Sequence, residues 1–164
     1  MSKRLNLREF QQSILDRIQQ KEVAGDRAST LGVEVGNGFW LVDMQDVSEV
    51  LPVPPLTPVP LTQAWYRGVA NVRGNLYSIT DLAEFMGQSE TANVMHGRVL
   101  LVAQKYAFNV GFLVSRVLGL RDVRSWQYEE KDGETYYKDE QGNMWRKLDV
   151  TQLLQQPDFL QIGI

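Results

Sequence analysis

Residues Trp65 to Gly87 read WYRGVANVRGNLYSITDLAEFMG, and their punctuation constrains the fold more than any other part of the chain. Gly68 precedes the apolar pair Val69 and Ala70, a more polar stretch runs from Asn71 to Gly74, and Leu76 to Ile79 restore the apolar run before the Asp81-Leu82 pair. Two short strands meeting at a tight turn fit this pattern. The turn is expected at Gly74-Asn75, because both residues accept positive φ at little steric cost, as a two-residue hairpin demands. Arg73 then sits at the hairpin rim, where an arginine is a solvated charge unless something is brought against it.

The same grammar recurs on either side. LGVEVGNGFWLVDMQDVSEVLPV holds alternating Val33 and Val35, a Gly36-Asn37-Gly38 turn and a strand from Phe39 to Val42, together a hairpin, followed by a turn or short strand over Asp46 to Val50. Pro52, Pro54, Pro55, Pro58 and Pro60 then forbid helix interior and sheet centre, and hold the chain extended as a connector or an edge. Arg98 to Gln104, Tyr106 to Val114 and Val117 to Val123 are strand candidates. Asp132-Gly133 and Gln141-Gly142-Asn143 signal turns, and the polar hairpin from Glu129 to Asn143 is most simply a solvated loop. Leu148 to Leu154 suits a short helix, stopped at Pro157, with Phe159, Leu160 and Ile162 packing as a tail. Many short strands at this spacing predict a mainly β fold of small barrels.

The first 30 residues differ. From Leu5 to Ala24, apolar Leu7, Phe10, Ile14, Leu15 and Ile18 recur at helical spacing behind Asn6 and Glu9, the layout of an N-cap with its capping-box carboxylate, and Gly25 suits a C-cap. One apolar face means this helix must dock, either on its own domain or on another molecule. Residues 1–30 are therefore expected as a helical extension and residues 31–164 as the β-rich body.

Composition narrows function. A chain of 164 residues with 43% hydrophobic content supports one ordinary core or two small subdomains sharing an interface. Seventeen basic and 20 acidic residues, mixed along the chain to a net −3, give no footprint for phosphate backbones, so nucleic acid is not an expected partner. The absence of cysteine excludes disulfides, thiolate metal sites and cysteine nucleophiles, and is compatible with a reducing compartment. Lys3 and Arg4 have no apolar run behind them, and no segment approaches the roughly 20 apolar residues of a membrane helix. A cytoplasmic protein without membrane insertion is expected.

The residue inventory offers little to an enzyme. The one histidine, His96, lies in NVMHGR at a loop or strand entry, with no metal-ligand spacing and no nucleophile-elbow serine nearby. Gly32, Gly36 and Gly38 lack the lysine of a phosphate loop, and Asp43 and Asp46 read as ordinary turn residues rather than an acid pair. No catalytic residue, cofactor or metal is expected. Trp40, Trp65, Trp126 and Trp145 with Tyr136 and Tyr137 suit either core packing or a peptide-binding surface; Trp40 is expected buried and Trp65 at a surface or subdomain interface.

Taken in order, these motifs resemble the CheW-like adaptor family. Residues 65–87 are similar to its core signature, FWLVDMQDVSEVLPV to its first hairpin strand and the stretch after it, and TPVP at Thr57 to Pro60 to its extended connector. VGFLVSRVLGL looks like the strand opening its second half, and RKLDVTQLL like its closing segment, so the resemblance covers nearly all of residues 31 to 154. VPLTQAWYRGVANVRGNLYSITDLAEFMG, FLVSRVLGLR, the tryptophan ahead of Arg67-Gly68 and the tail around Phe159 look like the PilI branch, which serves type IV pilus chemosensory systems; flagellar chemotaxis adaptors are the alternative.

The resemblance implies two small five-stranded barrels of the Src-homology-3-like kind, packed around a hydrophobic interface, with the N-terminal helix outside the usual core. It implies a scaffold without enzymatic activity that joins a histidine kinase to the cytoplasmic tip of a chemoreceptor, recruited to membrane receptor arrays. An apolar barrel face would meet the kinase, or another copy of the chain, and a groove near the arginine-glycine turn would take the receptor. Val47, Glu49, Val50, Asn71, Arg73 and Gly74 are the positions the resemblance assigns to partners, and Glu49 and Arg73 are expected to pair across the turn. Two departures bear on partner choice: Ser78 stands where the family commonly has proline, and Val114-Ser115 where it often has valine-aspartate.

Overall fold

A computed structural model describes residues 30–91 and 95–164. The helix expected over Leu5 to Ala24 lies outside the described residues. Within them, eleven strands form two sheets. The chain opens with a hairpin of β1 (Thr30–Val35) and β2 (Gly38–Asp43), turned at Gly36-Asn37. A 3-10 turn over Met44–Asp46 leads into β3 (Val47–Pro52), and the proline connector delivers the chain to a second hairpin of β4 (Tyr66–Val72) and β5 (Asn75–Asp81). Helix α1 (Leu82–Phe85) follows directly, then β6 (Arg98–Val102), β7 (Val110–Val114) and β8 (Arg116–Arg121). The last strands are β9 (Gln127–Lys131), β10 (Glu134–Lys138) and β11 (Met144–Lys147), with helices α2 (Val150–Gln155) and α3 (Pro157–Leu160) closing the chain.

The middle strands make a five-stranded sheet in the order β3-β6-β7-β5-β4. Thr57 and Val69 then exchange backbone hydrogen bonds of 2.8 and 2.9 Å, so the continuation of β3 returns against β4 and closes the sheet into a barrel. Pro54 and Pro55 lie in that return, where a missing N–H denies a pairing partner to the seam. The outer strands make the second sheet, in the order β8-β1-β2-β11-β10-β9. It has six strands where five were expected, because the stretch from Glu129 to Asn143 is not a solvated loop: β9 and β10 pair with each other, and β10 pairs with β11.

Strand alternation sorts the apolar residues into three layers. Tyr77, Ile79, Val99, Leu101 and Leu113 fill the five-stranded barrel. The residues between them, Leu100, Val102, Phe112 and Val114, point the other way and meet Leu31, Val33, Val35, Trp40 and Val42 of the six-stranded sheet. That shared layer also takes up Leu148, Val150, Leu153, Leu154 and Phe159 from the C-terminal segment. On the far face of the six-stranded sheet, Trp145 lies 4.9 Å from the Phe39 ring and 5.6 Å from that of Trp126, with the Arg121 guanidinium 5.4 Å away. A Cβ at Gly32 would come within 3.0 Å of the Trp145 ring, so this strand position needs glycine. Among the described residues, no helix is long and apolar enough to cross a membrane.

Candidate functional site

The β4–β5 hairpin places the arginine-glycine turn at one corner of the five-stranded barrel. Val72 and Asn75 form its last pair, so the turn residues are Arg73 and Gly74, with φ of +52° and +87°, rather than Gly74 and Asn75. Two positive φ values give the primed turn whose twist matches the strands, and glycine is favoured at its second position while Arg73 carries the steric cost at the first, about 1–2 kcal/mol. Asn71 offsets part of this, since its Oδ1 accepts the Gly74 N–H at 2.9 Å and ties the turn shut.

Glu49 reaches the same corner from β3. A bulge at Ser48 shifts the register between Val47 and Glu49, and the Ser48 hydroxyl donates to the Leu101 and Val102 carbonyls at 3.3 and 3.4 Å. The Glu49 carboxylate accepts a hydrogen bond from Arg73 Nη2, an ion pair that bridges β3 to the hairpin tip across the barrel seam. The Arg73 side chain is 71% exposed and that of Glu49 36%, so the pair offers an oriented but accessible guanidinium.

Of the six residues assigned from the sequence, Glu49, Asn71, Arg73 and Gly74 gather here. Val47 does not: it is buried in the layer between the sheets, and Val50 is half-buried against the same layer. Leu76 was not singled out in the sequence. It lies opposite Asn71 in the hairpin register and is 61% exposed, which puts a large exposed apolar side chain on the hairpin that carries Arg73. The signal was present in the strand pattern, but reading it requires the correct turn position.

A separate cleft of about 1050 Å³ opens between the six-stranded sheet and the helices, lined among others by Trp65, Phe85, Met86 and Tyr106. Trp65 is half-buried, edge-on to Phe85 at 5.0 Å and stacked on Phe159 at 6.0 Å, and so ties the connector to the C-terminal helices. At another wall of the cleft, the Tyr106 hydroxyl donates to Asp46 and lies 3.1 Å from the Thr151 hydroxyl. Burial, then the bond to Asp46, raises the Tyr106 pKa above the usual tyrosine value. Lys105 lies 3.3 Å from Asp46 and is likewise raised, chiefly by that contact.

None of these groups forms a reactive set. Asp43 is paired with Lys147 at 2.5 Å and Asp46 is held by Tyr106 and Lys105, so the two are engaged separately in structural contacts. His96 lies in an exposed turn before β6. Among the described residues there is no group of three histidine, cysteine, aspartate or glutamate side chains placed to hold a metal ion.

Comparison with known proteins agrees with this picture. The profile of the CheW-like domain matches residues 29–158. Protein PilI of Pseudomonas aeruginosa is 37% identical over 93 residues, 57% of this chain and 52% of that protein. The chemotaxis protein CheW of Thermotoga maritima is 30% identical over 99 residues, 60% of this chain and 64% of the relative. Protein FrzA of Myxococcus xanthus is 33% identical over 82 residues, half of this chain and 51% of that protein. The matched stretches thus span between half and just under two thirds of these relatives. The crystal structure of the scaffolding protein TtCheW from Thermoanaerobacter tengcongensis superposes with a TM-score of 0.67 at 18% identity, covering 76% of this chain and 90% of that one, a likeness of fold.

Proposed function

This chain belongs to the CheW-like domain family, and on that premise we propose that it is a scaffold adaptor, not an enzyme, coupling a chemoreceptor to a histidine kinase in a chemosensory pathway that controls type IV pili. The family supports the scaffold role, and the PilI relative supports the pilus assignment over a flagellar one. Residues 31–164 make up the coupling body, and residues 1–30 an extension to it. The adaptor works by holding both partners together, so that the second contact forms at high effective concentration. Its place of action is the cytoplasmic side of membrane receptor arrays.

The observation that carries this reading is the corner at Arg73. An arginine is held in a costly turn by Asn71, oriented by Glu49 and left mostly exposed on a hairpin that also exposes Leu76. An exposed ion pair contributes only about 0–1 kcal/mol to folding, so stability alone does not account for the arrangement. The test is binding of the purified chain to the kinase regulatory domain and to the receptor cytoplasmic fragment of the same genome, repeated with Arg73→Glu, Glu49→Arg and the double exchange. Two separate interactions are expected, with Arg73→Glu weakening at least one and the double exchange failing to restore it. Full restoration by the exchange would assign the pair to positioning alone, and binding to neither partner by the folded chain would remove the coupling role.

A further inference from the structure

We propose that the six-stranded sheet is extended by a second copy of the chain, strand β8 of one copy adding to strand β9 of the next, so that copies associate head to tail. The Thr57–Val69 bridge closes the five-stranded sheet. In the outer sheet, among the described residues, β8 pairs only with β1 and β9 only with β10, so both edges are open. An open edge presents unpaired N–H and C=O groups, which an added strand satisfies. Every residue of β9 is exposed, and Leu120 of β8 is 67% exposed. The hairpin turns fix which backbone groups are free. Asp132-Gly133 is a two-residue turn with φ of +54° and +78°, so Lys131 and Glu134 bond across it and, by alternation, Tyr128 and Glu130 face outward. The Gly36-Asn37 turn directs Val33 and Leu31 to β2 and Gly32 and Thr30 to β8, so Gly119 and Arg121 face β1 while Leu120 between them faces outward.

These free groups mesh when the two strands run parallel. The Leu120 N–H then meets the Tyr128 carbonyl, and the Glu130 N–H meets the Leu120 carbonyl, the slanted pattern of a parallel pair. Side chains agree with this register. Tyr128 and Glu130 lie on the face of the sheet that carries Trp145, because Tyr128 is paired through Tyr137 to it, and Arg121 lies on that face too, with its guanidinium over the Trp145 ring. Glu130 therefore falls opposite Arg121 of the added copy. Tyr128 falls opposite Gly119, where a Cβ would meet no atom within 4 Å, so its ring has room. Charge selects the unlike edge. Strand β8 reads RVLGLR, with two cations and no acid, whereas β9 reads QYEEK, with two acids and one cation. Within one chain Arg121 donates to the Leu118 carbonyl at 2.9 Å, but its Nε is without a hydrogen-bond partner. Two β9 edges paired antiparallel about their centres would set Glu129 against its own copy, which is unfavourable. The contact is thus between different surfaces, and each added copy leaves one β8 edge and one β9 edge free.

Proline is tolerated on an edge strand where the missing N–H would have faced solvent, so Glu130→Pro and Leu120→Pro each block one edge and spare the internal ladder. In sedimentation of the full chain over a concentration series, the wild type is expected to gain mass past the dimer, and each proline variant, folded by circular dichroism, to stay monomeric. An equimolar mixture of the two variants is expected to restore a dimer and nothing larger, because one chain keeps a free β8 and the other a free β9. A wild type that is monomeric over the whole series, a mixture that stays monomeric, or a variant that associates as the wild type does would each overturn the proposal. Glu130→Arg leaves every backbone group in place and guards against a proline variant that fails to fold: it is expected to weaken association about tenfold, and unchanged association would count equally against the proposal. Neither kinase nor receptor is present, so the outcome is independent of the coupling role.

Discussion

At Gly68 the β4 strand bulges, φ is +117°, and a Cβ would lie 2.1 Å from the Thr57 carbonyl oxygen. That contact is part of the bridge closing the barrel, so Gly68→Ala is expected to cost about 3 kcal/mol or more in urea unfolding. Gly74→Ala makes the control: φ is +87° but the space is open, and a loss of only about 1 kcal/mol is expected. Gly68 stands out in the sequence as punctuation, yet the reason for it, a backbone eleven positions away, is not visible there. Asp139 was similarly mute. Its carboxylate takes hydrogen bonds from Trp145 Nε1 at 3.0 Å and the Asn143 and Gln141 amides at 2.8 and 2.9 Å, and these, the tryptophan bond foremost, lower its pKa to about 2. The unfolded chain binds that proton more readily, so the contribution is fully present above the ordinary aspartate range near about 4 and is lost as pH falls through about 2. Comparing melting temperature against pH with Asp139→Asn, the wild-type curve is expected to fall more steeply between those two values.

Among the elements, α1 shows how a short helix is secured by one buried acid. Asp81 is fully buried, accepts the Thr91 amide and hydroxyl at 2.8 Å each and caps the helix at Glu84 N, 3.4 Å away, with Arg67 3.8 Å off. Asp81→Ala removes the cap and strands the Thr91 donors, and is expected to cost about 2 kcal/mol in chemical denaturation; an effect below the error of that measurement would contradict this account. The Asp81-Leu82 pair was legible as a motif, but its partner Thr91 was not, since nothing local joins them. Strands that are continuous apolar runs, such as β2 and β6, were readable directly. The hairpin of β9 and β10 was not, because polar and charged residues dominate both strands and no apolar run marks them, while β10 is held by pairing with β11 and Tyr137 by the Tyr128 ring. The strand expected from Tyr106 begins only at Val110, since a 3-10 turn and Ala107 with φ of +58° intervene.

For the whole molecule, the decisive feature is the apolar layer to which both sheets contribute. Phe112 is buried there with Trp40 and Leu100, so Phe112→Ala is expected to cost about 3–5 kcal/mol and to lower the midpoint of both subdomains together. Tryptophan fluorescence and far-ultraviolet circular dichroism should report one coincident transition; two separated transitions would show that the barrels fold independently. The ordered series of motifs carried the family and the fold class, whereas the corner at Arg73 was only partly legible: the resemblance assigned Val47 to a partner together with the corner residues, and the structure buries it in the layer between the sheets. The arrangement of strands has a consequence during synthesis. Residues 30–43 find their remaining sheet partners only at residues 116–147, while the five-stranded barrel is complete by residue 114. On a ribosome adding about 5–20 residues per second, the first hairpin waits roughly 4 to 15 s, and the inner barrel emerges as the finished template on which the outer sheet, begun first, is assembled last.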